Sequence, residues 1–193
     1  MPGKNITFEV ITDGNIEVCR DLCNELMVFQ KTKATIAQES FDGMNFDTRM
    51  KRSFENAFAS HTAVVKDNGL AIGYVFSTID CVEESDRNAC PDWAPVKGLS
   101  KVQGFFPEWV KLPAKIGCLS NLYFKDSYRG MGLGSKLFDM ALEWLESFKE
   151  VPLNMIYISN GNDAAYDFYI NRGFSFSHDV FGGFIKAVYK IKK

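Results

Sequence analysis

Apolar and polar residues alternate over positions 6–11, the period of a half-buried strand, and the pattern breaks at Thr12-Asp13-Gly14. From there the period lengthens. Ile16, Cys19, Leu22, Cys23 and Leu26 recur at helical spacing and predict a helix to about Gln30. A second helical set, Phe46, Met50, Phe54, Ala57 and Phe58, follows Asp42-Gly43. Strand-like runs at 62–65 and 71–76 flank Asp67-Asn68-Gly69, and Asn-Gly tolerates the positive φ angles of a tight hairpin turn.

Periodicity is lost over 80–115, a stretch holding Pro91, Pro95, Pro107 and Pro113 with Trp93, Phe105, Phe106 and Trp109. Loops this long inside a compact domain are commonly lids or binding loops. An ordinary insertion whose aromatics pack on the core is the other reading. Regularity returns with a strand over 116–124, and the segment Lys125-Asp126-Ser127-Tyr128 then leads into Arg129-Gly130-Met131-Gly132-Leu133-Gly134-Ser135. The helix that follows carries one apolar stripe: Leu133, Leu137, Met140, Ala141, Trp144, Leu145 and Phe148. A strand over 153–158 and a short helix opened by Asn160-Gly161-Asn162-Asp163 come next, with Gly173 as its stop. Runs at 174–180 and 184–191 close the chain as a hairpin around Gly182-Gly183, and the four lysines of 186–193 suggest a solvated sheet edge.

The chain of 193 residues is 46% hydrophobic and 14% aromatic, which suits one domain over 1–193 and excludes wholesale disorder. Twenty-two basic against 24 acidic residues leave no cationic excess for broad nucleic-acid binding. No apolar run approaches the ~20 residues of a membrane span, and Met1-Pro2-Gly3-Lys4 leads directly into strand-like sequence without a signal peptide. Cys19, Cys23, Cys81, Cys90 and Cys118 contain no C-x-x-C and read as reduced thiols in a cytoplasmic protein. His61 and His178 lie far apart, so no metal site is expected.

A strand, a glycine-rich turn and an amphipathic helix form an anion cradle on physical grounds: glycines admit close approach, and the first N–H groups of a helix lack intrahelical acceptors. The spacing is neither a Walker A loop nor a G-x-G-x-x-G dinucleotide fingerprint. The string R-G-x-G-x-G at 129–134, followed by Asn162-x-x-Ala165-x-x-Phe168-Tyr169 and then Gly173-Phe174, resembles the GNAT superfamily of acetyl-CoA-dependent N-acetyltransferases. The resemblance is specific over about 116–176; over the N-terminal half only the order of elements fits.

That resemblance implies a mixed α/β fold, with a twisted, mostly antiparallel sheet of about seven strands and helices on both faces. It implies that the N–H groups of Arg129, Gly130, Met131, Gly132, Leu133, Gly134 and Ser135 hold the coenzyme A pyrophosphate, helped by the Arg129 side chain. The bulged strand before the turn would pair Leu122, Tyr123 and Phe124 with the pantetheine amides and splay from its neighbour. Asn162 would bond the pantetheine arm, and Tyr169 would protonate the departing thiolate. From the residues alone, Asn162 also reads as a helix N-cap and Tyr169 as a core aromatic.

Acetyl transfer to an amine sets its own demands. Neutralising an amine of pKa ≈ 10.4 at pH 7 costs roughly 4–5 kcal/mol, so something must take its proton. Full proton transfer from an unperturbed tyrosine to a thiolate of reference pKa ~8.5 is uphill by ~2 kcal/mol. Direct attack in a ternary complex needs no enzyme nucleophile, and Cys118, in a strand expected to be buried, is a poor one. Several family members carry a glutamate base near the start of the strand before the turn; here Ile116-Gly117-Cys118-Leu119 has no carboxylate. Asp80, Glu83, Glu84 and Glu108 remain as the nearby acids, and the base stays unassigned. A small-molecule amine is the first choice of acceptor because the insertion should narrow that side. A peptide or protein amine, a non-catalytic acyl-CoA sensor and another phosphate-binding protein are the alternatives. For a homodimer interface the aromatic insertion and the last strand are the candidate surfaces.

Overall fold

The computed structural model describes residues 4–92, 94 and 103–192. Trp93 and Pro95 of the insertion lie outside the described residues. Seven strands, β1 (Ile6–Val10), β2 (Ala59–Asp67), β3 (Leu70–Val82), β4 (Ala114–Phe124), β5 (Leu153–Ser159), β6 (Ser175–Val180) and β7 (Ile185–Ile191), form one sheet in the order β1-β2-β3-β4-β5-β7-β6. Every pairing is antiparallel except β4 with β5. The helices are α1 (Arg20–Lys33), α2 (Arg52–Asn56), α3 (Leu133–Ser147) and α4 (Asp163–Ile170). The mixed α/β architecture expected from the resemblance is thus present.

Alternation along the strands sorts side chains into two cores. On one face Tyr74, Phe76, Ile116 and Met155 pack with Leu22, Cys23 and Leu26 of α1. On the other, Val75, Ile79, Leu119 and Ile156 pack with Leu137, Phe138, Ala141 and Leu145 of α3 and Tyr169 of α4. The β2–β3 hairpin turns on Asn68 and Gly69, with φ of 49° and 84°, as Asn-Gly requires.

Several expectations are corrected. The second helix is a wide π-helical turn, Asp47–Lys51, continued by α2 only to Asn56; Ala57 is already extended and Phe58 is 55% exposed. The irregular stretch is shorter than 80–115, because β3 runs on to Val82 and β4 begins at Ala114, where the two strands pair. Trp144 and Phe148, on the apolar stripe of α3, are half-buried and pack against the margin of the core, with Trp144 stacked on His61 at 5.4 Å. Cys118, too, is half-buried.

The lysine-rich last strand is not an edge: β7 lies between β5 and β6. Its lysines alternate onto the α3/α4 face and meet the helices there. Lys186 faces Asp163 at 3.5 Å and Lys190 faces Glu146 at 3.6 Å. The Lys192 ammonium donates to the carbonyls of Leu145 and Phe148 at the C-terminal end of α3, where the helix dipole favours a cation.

Candidate active site

The parallel pair β4–β5 is joined at two rungs, Gly117 with Asn154 and Cys118 with Met155, and beyond them the strands part. Gly117 permits the close join, since a Cβ there would stand 2.1 Å from Asn154 Oδ1. The parting begins at a bulge. Phe76 pairs with Asn121 and Ser77 with Leu119, so Ser120 is the extra residue on β4, and it bends the strand away from β5. Leu122, Tyr123 and Phe124 pair with Val75, Tyr74 and Gly73 of β3, while their other edge faces the gap with no ladder partner among the described residues. Main-chain groups there remain available to a ligand's amides.

Beyond Phe124 the chain makes the glycine turn. Gly130 and Gly132 sit at φ of 76° and 75°, and a Cβ on either would meet nothing within 4 Å among the described residues, so the space above the turn is open to a ligand. No side chain caps the start of α3, and among the described residues the N–H groups of Gly130, Met131, Gly132, Leu133, Gly134 and Ser135 donate to no protein acceptor. Exposed donors at a helix start are what an anionic group needs. The Arg129 guanidinium turns toward α1, 2.9 Å from Asp126 and 4.5 Å over the Phe29 ring. A second cation reaches the turn from the end of α4: Arg172 donates to Ser135 Oγ at 2.6 Å while stacked 3.5 Å over Phe168. The sequence pattern did not single out Arg172 for this, because it belongs to the turn after α4 and reaches α3 only in the folded chain.

Asn162 is the N-cap of α4, its Oδ1 accepting the Ala165 N–H at 3.4 Å. One helical stretch later Tyr169 is buried against Phe138, Phe168 and Phe174. Among the described residues its hydroxyl has no hydrogen-bond partner. Burial pushes its pKa up, Cys118 adds to the rise and Arg172 opposes it. The capping and core readings therefore hold for Asn162 and Tyr169 respectively, and both residues lie on the α4 side of the gap.

The opposite face of the gap is hollow. An inner cavity of about 60 Å³ touches Met27, Gln30, Ser120, Asn121, Tyr157 and Ser159, and the Ser159 hydroxyl there is buried with no partner among the described residues. It shares Arg49, Phe105, Ser120, Asn121 and Tyr157 with a chamber of about 280 Å³ that also includes Ser53, Thr78, Asp80, Phe106 and Cys118. Arg49, Ser53 and Asp80 in turn border an outer vestibule of about 530 Å³, lined also by Arg52, Cys90 and Asp92. Cys118 is held protonated, with its pKa pushed up to about 12 by burial and by Asp80, which agrees with its rejection as a nucleophile.

The insertion forms the roof of the chamber and is tied down on three sides. His178 is half-buried; its Nε2 donates to the Gly104 carbonyl at 2.9 Å while Nδ1 accepts from Ser177 Oγ. The Phe181 N–H donates to Gln103 O, the Tyr157 hydroxyl donates to Phe105 O at 3.1 Å, and Arg87 donates to the carbonyls of Pro107 and Val110. Phe105 meets Tyr157 and Phe181 edge to face. Below, Asn160 clamps the end of α1: its Oδ1 accepts the N–H groups of Thr35 and Ile36, and its Nδ2 donates to Ile36 O and Phe184 O.

Among the described residues no group of three or more His, Cys, Asp or Glu side chains is placed to hold a metal ion, and no helix is long and apolar enough to cross a membrane. No curated protein matches the chain by sequence. Solved structures share its fold. A GNAT-family acetyltransferase from Streptococcus pneumoniae superimposes with a TM-score of 0.59 at 16% identity, covering 98% of this chain and 100% of that one. The PaiA N-acetyltransferase of Thermoplasma acidophilum, in complex with coenzyme A, gives 0.58 at 14% identity, covering 97% and 99%. Arabidopsis thaliana Naa50, in complex with the bisubstrate analogue CoA-Ac-MVNAL, gives 0.56 at 15% identity, covering 96% and 97%. Residues 31–174, from the end of α1 through the bulged strand, the glycine turn and Tyr169, match the model of the acetyltransferase (GNAT) family, and the chain belongs to that family.

Proposed function

We propose that the chain, acting as a single domain, transfers an acetyl group from acetyl-CoA to the primary amine of a small molecule by direct attack in a ternary complex. The observation that carries this reading is the two-sided gap: an open anion cradle and Tyr169 on one face, a roofed chamber on the other, and the Ser120 bulge between them. The N–H groups from Gly130 to Ser135, with Arg129 and Arg172, fit a pyrophosphate. The free edge of Leu122, Tyr123 and Phe124, with the Asn162 amide nitrogen, fits the pantetheine arm.

Acetyl-CoA supplies the activated acyl group. Nitrogen attacks its carbonyl carbon, the C–N bond forms and the C–S bond breaks. Two protons leave the ammonium. One goes to a base before attack, and the other reaches the thiolate sulfur, with the Tyr169 hydroxyl donating to that sulfur. Because burial raises Tyr169, its contribution is a hydrogen bond to the sulfur rather than an unassisted proton transfer.

A chamber of about 280 Å³ lies at the lower end of the range for ligand pockets and suits a small amine better than several residues of extended peptide. Five free cysteines fit a reducing compartment such as the cytoplasm. The test is thiol release from acetyl-CoA by the purified protein, with a panel of small primary amines beside peptides bearing free N-termini and lysines. Turnover with small amines is expected. Acetylation of peptides and of no small amine would overturn the choice of acceptor.

A further inference from the structure

Four acids lie near the acceptor side in sequence, and the fold separates them. Glu84 is drawn out to Arg87 at 2.5 Å, Glu83 caps the turn that carries Glu84, and Glu108 is exposed on the insertion. Asp80 alone among them borders the chamber, and it borders the vestibule as well.

Resting on the acetyltransferase reading above, we propose that Asp80 is the general base, facing the acceptor's ammonium inside the chamber and taking its proton, directly or through one water, before nitrogen attacks, and that the acceptor is a small amine with an aromatic or apolar body. The geometry is specific. Thr78 lies two residues back on the same face of β3 and donates from Oγ1 to Asp80 Oδ2 at 2.8 Å, which fixes the carboxylate. Oδ1 has no protein partner among the described residues. Thr78 pairs with Cys118 across to β4, two residues before the bulge, and Asp80 and Ser120 line the same chamber, so a nitrogen held there lies between the carboxylate and the bulge. Phe105, Phe106 and Tyr157 supply the walls for its body.

Among the described residues the ionisable groups facing Asp80 are Arg49 from the π-helical turn, Cys118 from β4 and Tyr157 from β5, with Arg52, Cys90 and Asp92 at the vestibule. Burial raises the Asp80 carboxyl above the usual range and the Thr78 hydrogen bond offsets part of the rise. A raised carboxylate is a stronger proton acceptor. The proton moves from the ammonium to Asp80 and on to solvent, and the second nitrogen proton goes to the departing sulfur as above.

The test compares wild type with Asp80→Asn, using benzylamine, which is protonated at neutral pH, and its isostere phenylhydrazine, which is neutral. The variant should lose ~10²–10⁴-fold in kcat/KM for benzylamine and less than about tenfold for phenylhydrazine, with acetyl-CoA binding unchanged. Its kcat/KM for benzylamine should keep climbing with pH toward the amine's own pKa, where wild type levels off earlier. Glu108→Gln should leave the rate unchanged. Equal losses for both amines, or an unaltered rate and pH profile, would overturn the role of Asp80 alone. Wild-type protein that acetylates other small amines and neither of these would overturn the aromatic or apolar acceptor, and wild-type protein that binds acetyl-CoA and acetylates no amine of the panel would overturn the functional reading itself.

Discussion

Gly132→Ala separates backbone strain from ligand binding. Gly132 lies at φ 75°, where an alanine costs about 1–2 kcal/mol, and its Cβ would meet nothing within 4 Å. The free protein should therefore lose only that strain, a fall in Tm of roughly 2–8 °C for a chain of this size. Acetyl-CoA should be affected more. A methyl group in the open space above the turn would push the pyrophosphate off at least one N–H, and a hydrogen bond to a charged group is worth about 1.5–3 kcal/mol, or roughly 10–150-fold in affinity. Gly69→Ala is the matched control, since Gly69 has φ 84° and equally open surroundings but lies in the β2–β3 turn. Titration calorimetry with acetyl-CoA, alongside thermal unfolding of all three proteins, reads both quantities. An affinity in Gly132→Ala equal to that in Gly69→Ala would refute the cradle.

Tyr169→Phe should lower kcat by ~10²–10³-fold, the loss of one hydrogen-bond donor to developing charge, with acetyl-CoA affinity within a few-fold of wild type, because among the described residues the hydroxyl has no partner to lose; steady-state kinetics with calorimetry check this. Gly104→Ala would set a Cβ 2.4 Å from the Arg87 carbonyl and so unseat the roof; acceptor KM should rise several-fold with little change in coenzyme binding. Asp80→Asn should stabilise the fold at neutral pH. A carboxyl whose pKa is raised by folding loses stability as pH climbs from its unfolded value of ~3.9 through its folded value, so the gain in Tm should be full above the folded value and vanish in acid. A Tm difference independent of pH would contradict that cause.

The cradle was legible because it is local: three glycines at alternate positions and a helix start need no distant partner. The hairpin at Asn68-Gly69 and the N-cap at Asn162 were legible for the same reason. What the sequence hid depends on contacts made across the fold. Nothing in Leu119-Ser120-Asn121 marks the bulge, which exists only against Phe76 and Ser77 of β3. The roof over the chamber is seated by His178, Tyr157 and Arg87, each remote from or irregularly spaced with the carbonyl it holds. Lysines on the last strand look like an edge signal until β6 is seen to lie outside β7 and the lysines to reach back to α3 and α4. Asp80 could not be told from Glu83, Glu84 and Glu108 by position along the chain; only the strand that carries it, continued to Val82, turns it into the chamber.

The most direct test of the account is thermal unfolding in the presence of acetyl-CoA, coenzyme A, ATP or NAD. A ligand at 100 times its Kd adds ~2.7 kcal/mol of stability, a rise in Tm of roughly 5–11 °C for a domain of this size. Both coenzyme forms should give that rise, and ATP and NAD should not. An unchanged Tm with millimolar acetyl-CoA, or an equal rise with ATP or NAD, would contradict the placement of acetyl-CoA in the gap between β4 and β5.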